Sequence, residues 1–129
     1  MYTGYFGKMK SYPKDKEYRY VSIARFNKFW SGEEYKKLTP PASIIKIEDK
    51  ELYTKLYYEQ VLNNLNPQEV YNELGDNAVL LCYEKYADIE QGKTFCHRHM
   101  VAKWLEEKLG VEVKELENEN KDNSQQLHF

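Results

Sequence analysis

The order of hydrophobic and polar positions along the chain predicts strands that alternate with helices. Short apolar or aromatic runs of strand length lie at residues 2–7, 18–26, 42–47 and 78–83. Residues 111–116 alternate between apolar and charged side chains, which predicts an edge strand. Gly4 interrupts the first run and marks a position where another group can approach the backbone closely.

Apolar positions at helical spacing predict three longer helices, over residues 49–65, 66–75 and 95–109. Asp49 can cap the first of these helices. Asn66 followed by Pro67 is a start signal for the second, because proline is favoured at the first helical position. Gly75 and Gly110 are predicted to end the second and third helices. The long segment 27–41 is expected to hold one helical turn, over Glu33–Leu38.

Strands alternating with helices in the second half of the chain indicate right-handed crossovers and a largely parallel sheet. We therefore expect one three-layer α/β/α domain over residues 1–116, with a mostly parallel sheet of about five strands. Residues 117–129 are rich in Asn, Gln and Glu and lack periodicity, so they are predicted to form a disordered tail.

The amino-acid composition and the net charge argue against several classes of protein. Hydrophobic residues make up 41% and charged residues 31% of the 129 positions, a balance typical of a soluble globular protein. Neither an apolar run of about 20 residues nor a secretory signal is visible, so we expect a cytoplasmic protein without a membrane partner. The net charge of −2, with 16 Lys and 3 Arg scattered along the chain, does not favour nucleic-acid binding.

The two cysteines and two of the three histidines flank one predicted strand-to-helix junction. Cys82 would end the strand and Cys96 would start the next helix, at an edge of the sheet where ligands usually bind. The free N–H groups and the dipole of a helix start favour a bound anion or a thiolate, and His97 and Arg98 could strengthen that field. Cys96 is therefore a candidate nucleophile, with packing as a half-buried apolar residue as the alternative.

The spacing between the cysteines, arginines and histidines can be compared with three known types of site. A tyrosine-phosphatase loop needs an arginine six positions after its cysteine, but those positions hold Asp88 and Ala102, so this mechanism is excluded. Thirteen residues separate the cysteines, which does not match a thioredoxin pair. Zinc could take Cys82, Cys96 and His97 or His99, but without a paired ligand motif no metal site is predicted, and no cofactor is indicated.

Several other side chains could complete a site at this edge. Glu84 lies on the same side of an extended chain as Cys82 and could act as a general base or as a partner for Arg98. Arg25 ends an earlier strand and could converge on the same edge. Thr3 is a further polar candidate. Residues two apart on a helix face different directions, so we expect only one of His97 and His99 to reach the site, and we prefer His97 as a hydrogen-bond donor there.

Four short stretches resemble the bacterial and phage family catalogued as domain of unknown function 488. They are Tyr2-Thr3-x-x-Phe6, Val21-Ser22-Ile23-Ala24-Arg25, Leu81-Cys82-x-Glu84 and Cys96-His97-Arg98. The resemblance runs from about residue 2 to residue 116 and implies a small α/β protein. The signature positions that it implies are Arg25, Cys82, Glu84, Cys96, His97 and Arg98. No activity is implied, because none is established for the family.

Three functional hypotheses remain. The first is binding of an anionic small molecule, such as a nucleotide or phosphorylated metabolite, with Arg25 and Arg98 pairing with the anion and Cys82 and Thr3 nearby. The second is a thiol-dependent enzyme in which Cys96 is the nucleophile and His97 or Glu84 carries the proton. The third is a protein-interaction module or homodimer that uses the 27–41 segment, where Phe29 and Trp30 are available.

Overall fold

A computed structural model describes residues 1–14 and 17–116. The strands are β1 (Tyr2–Tyr5), β2 (Arg19–Ser22), β3 (Glu33–Glu34), β4 (Ala78–Cys82) and β5 (Lys114–Glu115). The α-helices are α1 (Lys50–Gln60), α2 (Pro67–Leu74), α3 (Tyr86–Glu90) and α4 (His97–Leu109), and 3₁₀ helices cover Phe6–Ser11, Lys36–Leu38 and Leu62–Asn64. The tail predicted at 117–129 lies outside the described residues.

The five strands form one sheet in the order β3-β2-β4-β1-β5, and all neighbouring strands are parallel. β4 lies at the centre, and all five of its residues are buried. This position explains why its sequence is a continuous apolar run, since a central parallel strand is covered on both faces. The predicted α/β domain with a five-stranded, largely parallel sheet is confirmed.

The hand of the crossovers decides which face each connection covers. Right-handed connections that run toward β5 lie on one face of the sheet, and those that run toward β3 lie on the other. Accordingly α1, α2 and α4 pack on the face of Ala78 and Leu80. The opposite face, with Val79 and Leu81, is covered by Tyr12 and by side chains from the 3₁₀ helix Phe6–Ser11. Helices therefore form the outer layer on one side, and a 3₁₀ helix with aromatic rings forms it on the other.

The predicted helix ends are largely confirmed by their caps. The Asp49 carboxylate accepts hydrogen bonds from the first turn of α1, and the Asn66 side chain does the same for α2. Gly75 and Gly110 follow α2 and α4 with φ of 89° and 70°, a backbone region that favours glycine. α1 ends at Gln60 rather than near residue 65, and the rest of the predicted helix contains the 3₁₀ helix Leu62–Asn64. Within the described residues, no helix has both the length and the apolar content needed to span a bilayer.

Between residues 27 and 47 one prediction was wrong and another was right only in part. The segment 42–47 is not a strand, because its backbone forms local turns in which the N–H of Ile44 bonds to Pro41 and that of Ile47 bonds to Ile44. Of its three isoleucines, Ile44 is fully buried in the core and Ile47 packs against that core. The third strand is instead Glu33–Glu34, where a helical turn was expected, and only Lys36–Leu38 of that stretch is helical.

Candidate functional site

The order of the strands creates a crevice at the carboxyl ends of β2 and β4. The chain leaves β2 toward β3 and leaves the adjacent β4 in the opposite direction, toward β5. Connections that diverge from two neighbouring strands open a gap in which α/β proteins usually bind ligands. A cleft of about 1050 Å³ lies at this point.

The cleft contains most of the candidates from the sequence. Its lining includes five predicted site residues, namely Arg25, Cys82, Glu84, Cys96 and His97. Cys82 ends β4, and Cys96 immediately precedes α4 as its N-cap residue. The β4–α4 junction therefore reaches the end of β2, as predicted. The helix α3, which was not predicted, occupies part of the connection between the two cysteines.

The imidazole of His97 is held between the backbone of β2 and the two sulfur atoms. Its Nε2 lies 2.8 Å from the carbonyl oxygen of Ile23, so Nε2 must carry the proton and donate it. Its Nδ1 lies 3.5 Å from Cys82 Sγ and 4.0 Å from Cys96 Sγ. The ring of Tyr57 packs edge-on against the imidazole, with centroids 5.5 Å apart. These contacts fix Nδ1 toward the sulfurs.

The two thiols differ in their affinity for a proton. Burial raises the pKa of Cys82 well above its ordinary value, and the nearby Cys96 sulfur raises it further. Burial also acts on Cys96, but the interactions with Cys82 and His97 and the positive charge of Arg98 outweigh it and lower the Cys96 pKa. The pair therefore favours a Cys96 thiolate beside a protonated Cys82.

Glu84 is a cleft carboxylate with a raised affinity for a proton. Burial, followed by the negative charge of Cys96, raises the pKa of Glu84 from 4.5 to about 7. A carboxyl group with this pKa exchanges protons near neutral pH, which is the property required of a general acid or base. The sequence hypothesis of Glu84 as a proton carrier fits this environment.

Arg98 and Thr3 lie outside the cleft lining. Arg98 donates to both carboxylate oxygens of Glu115, at 3.1 and 3.0 Å, and its side chain is 0% exposed. The Thr3 hydroxyl and His99 Nε2 bond to the same carboxylate, at 2.7 and 2.9 Å. The structure thus does not bring Arg98 to Arg25, and its carboxylate partner is Glu115 rather than Glu84. The reason is geometric, because β5 adds beside β1 and places Glu115 next to the first turn of α4.

Some cleft residues were not found from the sequence. Lys46 lies in the connection between β3 and α1, Lys50 is the first residue of α1, and Lys93 lies in the loop after α3. Phe26, Tyr53, Tyr83 and Phe95 supply aromatic lining. Exposed lysines and scattered aromatic rings carry no local pattern that separates a cleft from any other surface. The position of these residues depends on where the connections cross the sheet edge.

A scan against protein-family models, a search of curated proteins and a search of solved structures each find no match to this chain. The resemblance to domain of unknown function 488 therefore stays a prediction. Function has to be inferred from the cleft itself.

Proposed function

We propose that the cleft at the ends of β2 and β4 binds a small anionic molecule that carries a phosphate or carboxylate group. The observation that supports this most directly is a set of four cationic side chains without a carboxylate partner in the cleft lining, namely Arg25, Lys46, Lys50 and Lys93. Across residues 1–14 and 17–116, none of the four forms an ion pair with a carboxylate.

The acidic side chains of the cleft only partly balance these cations. Glu48 and Glu84 are the two carboxylates in the lining. Glu84 carries less than a full negative charge near neutral pH because its pKa is raised to about 7. Even if the Cys96 thiolate and both carboxylates are fully charged, three negative charges face four positive ones, so the cleft has an excess of positive charge in a protein whose formal net charge is −2. Such local focusing attracts anions even when the whole molecule does not.

The start of α4 adds a second source of attraction. Cys96 is its N-cap residue but makes no side-chain capping hydrogen bond, so it leaves the first-turn N–H groups without that partner. Cys96 and His97 both line the cleft, which places this helix end at its wall. The dipole of a helix of 13 residues favours negative charge at this end.

The lining also offers apolar contact for the rest of a ligand. Phe26 and Tyr83 are exposed at the cleft, with 58% and 44% of their surface accessible. Planar rings stack on such side chains, and a ligand with both a ring and a phosphate would use the aromatic and the cationic parts together. AMP is a suitable probe because it combines the two, and adenosine is the matched probe that lacks the phosphate.

The proposal is tested by calorimetric titration of the protein with AMP and with adenosine. We expect AMP to bind, adenosine to bind more weakly, and AMP affinity to fall as NaCl is raised, because added salt screens charge attraction. Arg25→Gln and Lys93→Gln should each weaken AMP binding by about 10-fold, since a hydrogen bond to a charged group contributes about 1.5 kcal/mol or more.

Lys103→Gln is the matched control. Lys103 is exposed on α4 and does not line the cleft, so this variant removes one positive charge while leaving the cleft intact. Its AMP affinity should equal that of the wild type. Equal losses in all three variants would mean that net charge alone attracts AMP. That result, or an absence of binding to AMP and to inorganic phosphate, would refute the proposal.

A further inference from the structure

The geometry points to a zinc site formed by Cys82 Sγ, Cys96 Sγ and His97 Nδ1 at the wall of the cleft. The inference goes beyond anion binding and does not depend on it. It rests on three ligand atoms that all lie within 4.8 Å of one another, provided by side chains that are only 3–4% exposed.

The distances match the size of a bound zinc ion. Zinc binds thiolate sulfur at about 2.3 Å and imidazole nitrogen at about 2.0 Å, so tetrahedral ligands of one ion lie about 3.5–3.8 Å apart. The two sulfur-to-nitrogen distances here are 3.5 and 4.0 Å. Side-chain shifts of about 1 Å or less would bring all three atoms to bonding distance from a single Zn²⁺ ion.

The orientation of His97 also suits a metal ligand. Whether Nδ1 is neutral with one lone pair or protonated with one N–H, it can form a full hydrogen bond with one sulfur but not with two. Both sulfurs nevertheless face it. An ion placed between the three atoms would satisfy them all. The Nε2–H bond to the Ile23 carbonyl is the kind of second contact that fixes the tautomer of a metal-bound histidine.

The charge balance of the pocket favours a divalent ion. Two thiolates buried side by side without a counter-ion would repel each other and lose their hydration. A Zn²⁺ ion with two thiolates and a neutral imidazole gives no net charge. Any proton that the Cys82 thiol or His97 Nδ1 still holds passes to solvent as the metal binds. Sulfur ligands select zinc over magnesium or calcium, which prefer oxygen.

Three protein ligands leave a fourth position for water or a ligand atom. Because all three residues line the cleft, that position would face the space in which we place the anionic molecule. This ligand count is typical of catalytic zinc sites, whereas structural sites have four protein ligands. Glu84 also lines the cleft.

The direct test is metal analysis of the full chain, purified after growth with added zinc and dialysed extensively. We expect one Zn²⁺ per chain by mass spectrometry of the metal content. Replacement by Co²⁺ should give the visible absorption of a tetrahedral ion and a thiolate-to-cobalt charge-transfer band. Neither measurement requires a variant to fold.

Variants then assign the ligands. Cys82→Ser, Cys96→Ser and His97→Gln should each weaken Zn²⁺ binding by more than about 100-fold, because loss of a second-shell partner alone typically costs 10–100-fold. His99→Gln is the matched control, since His99 lies on the same helix but bonds to Glu115. It should retain Zn²⁺ and the cobalt spectrum. Circular dichroism verifies that each variant is folded.

Two results would overturn the inference. One is a wild-type chain that binds neither Zn²⁺ nor Co²⁺ at stoichiometric levels. The other is a folded triple variant of Cys82, Cys96 and His97 that binds Zn²⁺ as tightly as the wild type. A metal-free chain in which iodoacetamide alkylates Cys96 rapidly would support the thiol-dependent enzyme instead. The AMP titration remains informative in each case, because the cationic side chains are not zinc ligands.

Discussion

Arg98 and Glu115 form a bidentate ion pair that joins the first turn of α4 to the edge strand β5. The two hydrogen bonds are 3.1 and 3.0 Å long, and the two side chains are 0% and 8% exposed. Thr3 of β1 donates to the same carboxylate at 2.7 Å. Because Arg98 follows His97 directly, this pair also holds the end of the helix that carries Cys96 and His97 to the cleft.

We predict that Glu115→Gln lowers the free energy of unfolding by about 3 kcal/mol. The substitution removes the negative charge of the carboxylate to which the buried Arg98 guanidinium donates two hydrogen bonds, and breaking one side of a buried pair typically costs 3–5 kcal/mol. Arg98 Nη1 is buried and has no hydrogen-bond partner among the described residues. No hydrogen bond from this nitrogen would therefore compensate for the lost charge. Urea denaturation followed by circular dichroism measures the loss.

The control for this prediction is Glu33→Gln. It breaks the Arg19–Glu33 pair, which is also bidentate but has side chains that are 43% and 44% exposed. Exposed pairs contribute about 1 kcal/mol or less, because water already solvates both charges. A loss for Glu115→Gln no larger than that for Glu33→Gln would contradict the structural role given to the buried pair.

We predict that protonation of the Glu115 carboxylate makes the stability of the protein depend on pH. Burial raises the pKa of Glu115, but hydrogen bonds from His99 and Arg98, the charge of Arg98 and the Thr3 hydroxyl outweigh it and lower the pKa from 4.5 to about 2. Since the folded pKa lies below the ordinary value, the stabilisation is complete above pH 4.5 and is lost as the pH falls toward 2. It should amount to about 3 kcal/mol.

Urea denaturation at a series of pH values from 6 to 2 measures this loss. The Glu115→Gln variant has no carboxylate to protonate at this position, so its stability should decline less steeply over the same range. Parallel curves for the wild type and the variant would show that other carboxylates cause the acid sensitivity.

The sequence predicted those strands and helices whose side chains carry a clear pattern. β4 was recognised because all five of its residues are apolar, and α2 because Asn66 and Pro67 mark its start. β3 was missed because it consists of two exposed glutamates without an apolar pattern, and its contacts with β2 are backbone pairing and the Arg19–Glu33 ion pair. An apolar run such as 42–47 resembles a buried strand, but periodicity does not distinguish it from a turn that buries one isoleucine.

The candidate site was predictable where it depends on neighbouring positions at the ends of elements. Cys82, Cys96 and His97 meet because a strand end and the next helix start share one sheet edge. The Arg98–Glu115 pair could not be predicted, because it requires β5 to lie beside β1, a strand more than one hundred residues away in the sequence. The same holds for Lys46, whose position depends on the path of a turn.

Gly4 gives a prediction about packing on the second face of the sheet. A Cβ atom at this position would lie 2.9 Å from the hydroxyl oxygen of Tyr12 and 3.2 Å from its ring. Tyr12 is buried and accepts a hydrogen bond from the Tyr5 N–H, so it cannot easily move away. Gly4→Ala should therefore cost about 1–3 kcal/mol of stability, measured by thermal or urea denaturation.

Gly7→Ala is the control for the packing prediction, because its Cβ would meet only Tyr5 ring atoms at 3.5 Å, an ordinary contact. A double-mutant cycle with Tyr12→Leu identifies the cause. If the Tyr12 ring is the obstacle, Gly4→Ala should cost less in the Tyr12→Leu background. An unchanged cost would mean that the strain arises elsewhere.

The 27–41 segment, proposed from the sequence as an interaction module, contains two aromatic residues in different environments. Trp30 is half-buried, packs on Phe6 with ring centroids 5.5 Å apart, and donates its indole N–H to the Glu33 carbonyl at 2.9 Å. Phe29 is 63% exposed. Trp30→Ala should therefore lower the free energy of unfolding by about 2 kcal/mol, and Phe29→Ala by less than about 1 kcal/mol.

Light scattering of the same two variants tests the interaction hypothesis. A side chain that fills the core affects stability, whereas one that binds a second copy affects the molar mass in solution. We expect Trp30→Ala to change stability without changing the molar mass, because the Trp30 side chain packs on Phe6 and bonds to the Glu33 carbonyl. A wild-type dimer that Phe29→Ala converts into a stable monomer would instead assign this exposed ring to an interface between two copies, as the hypothesis requires.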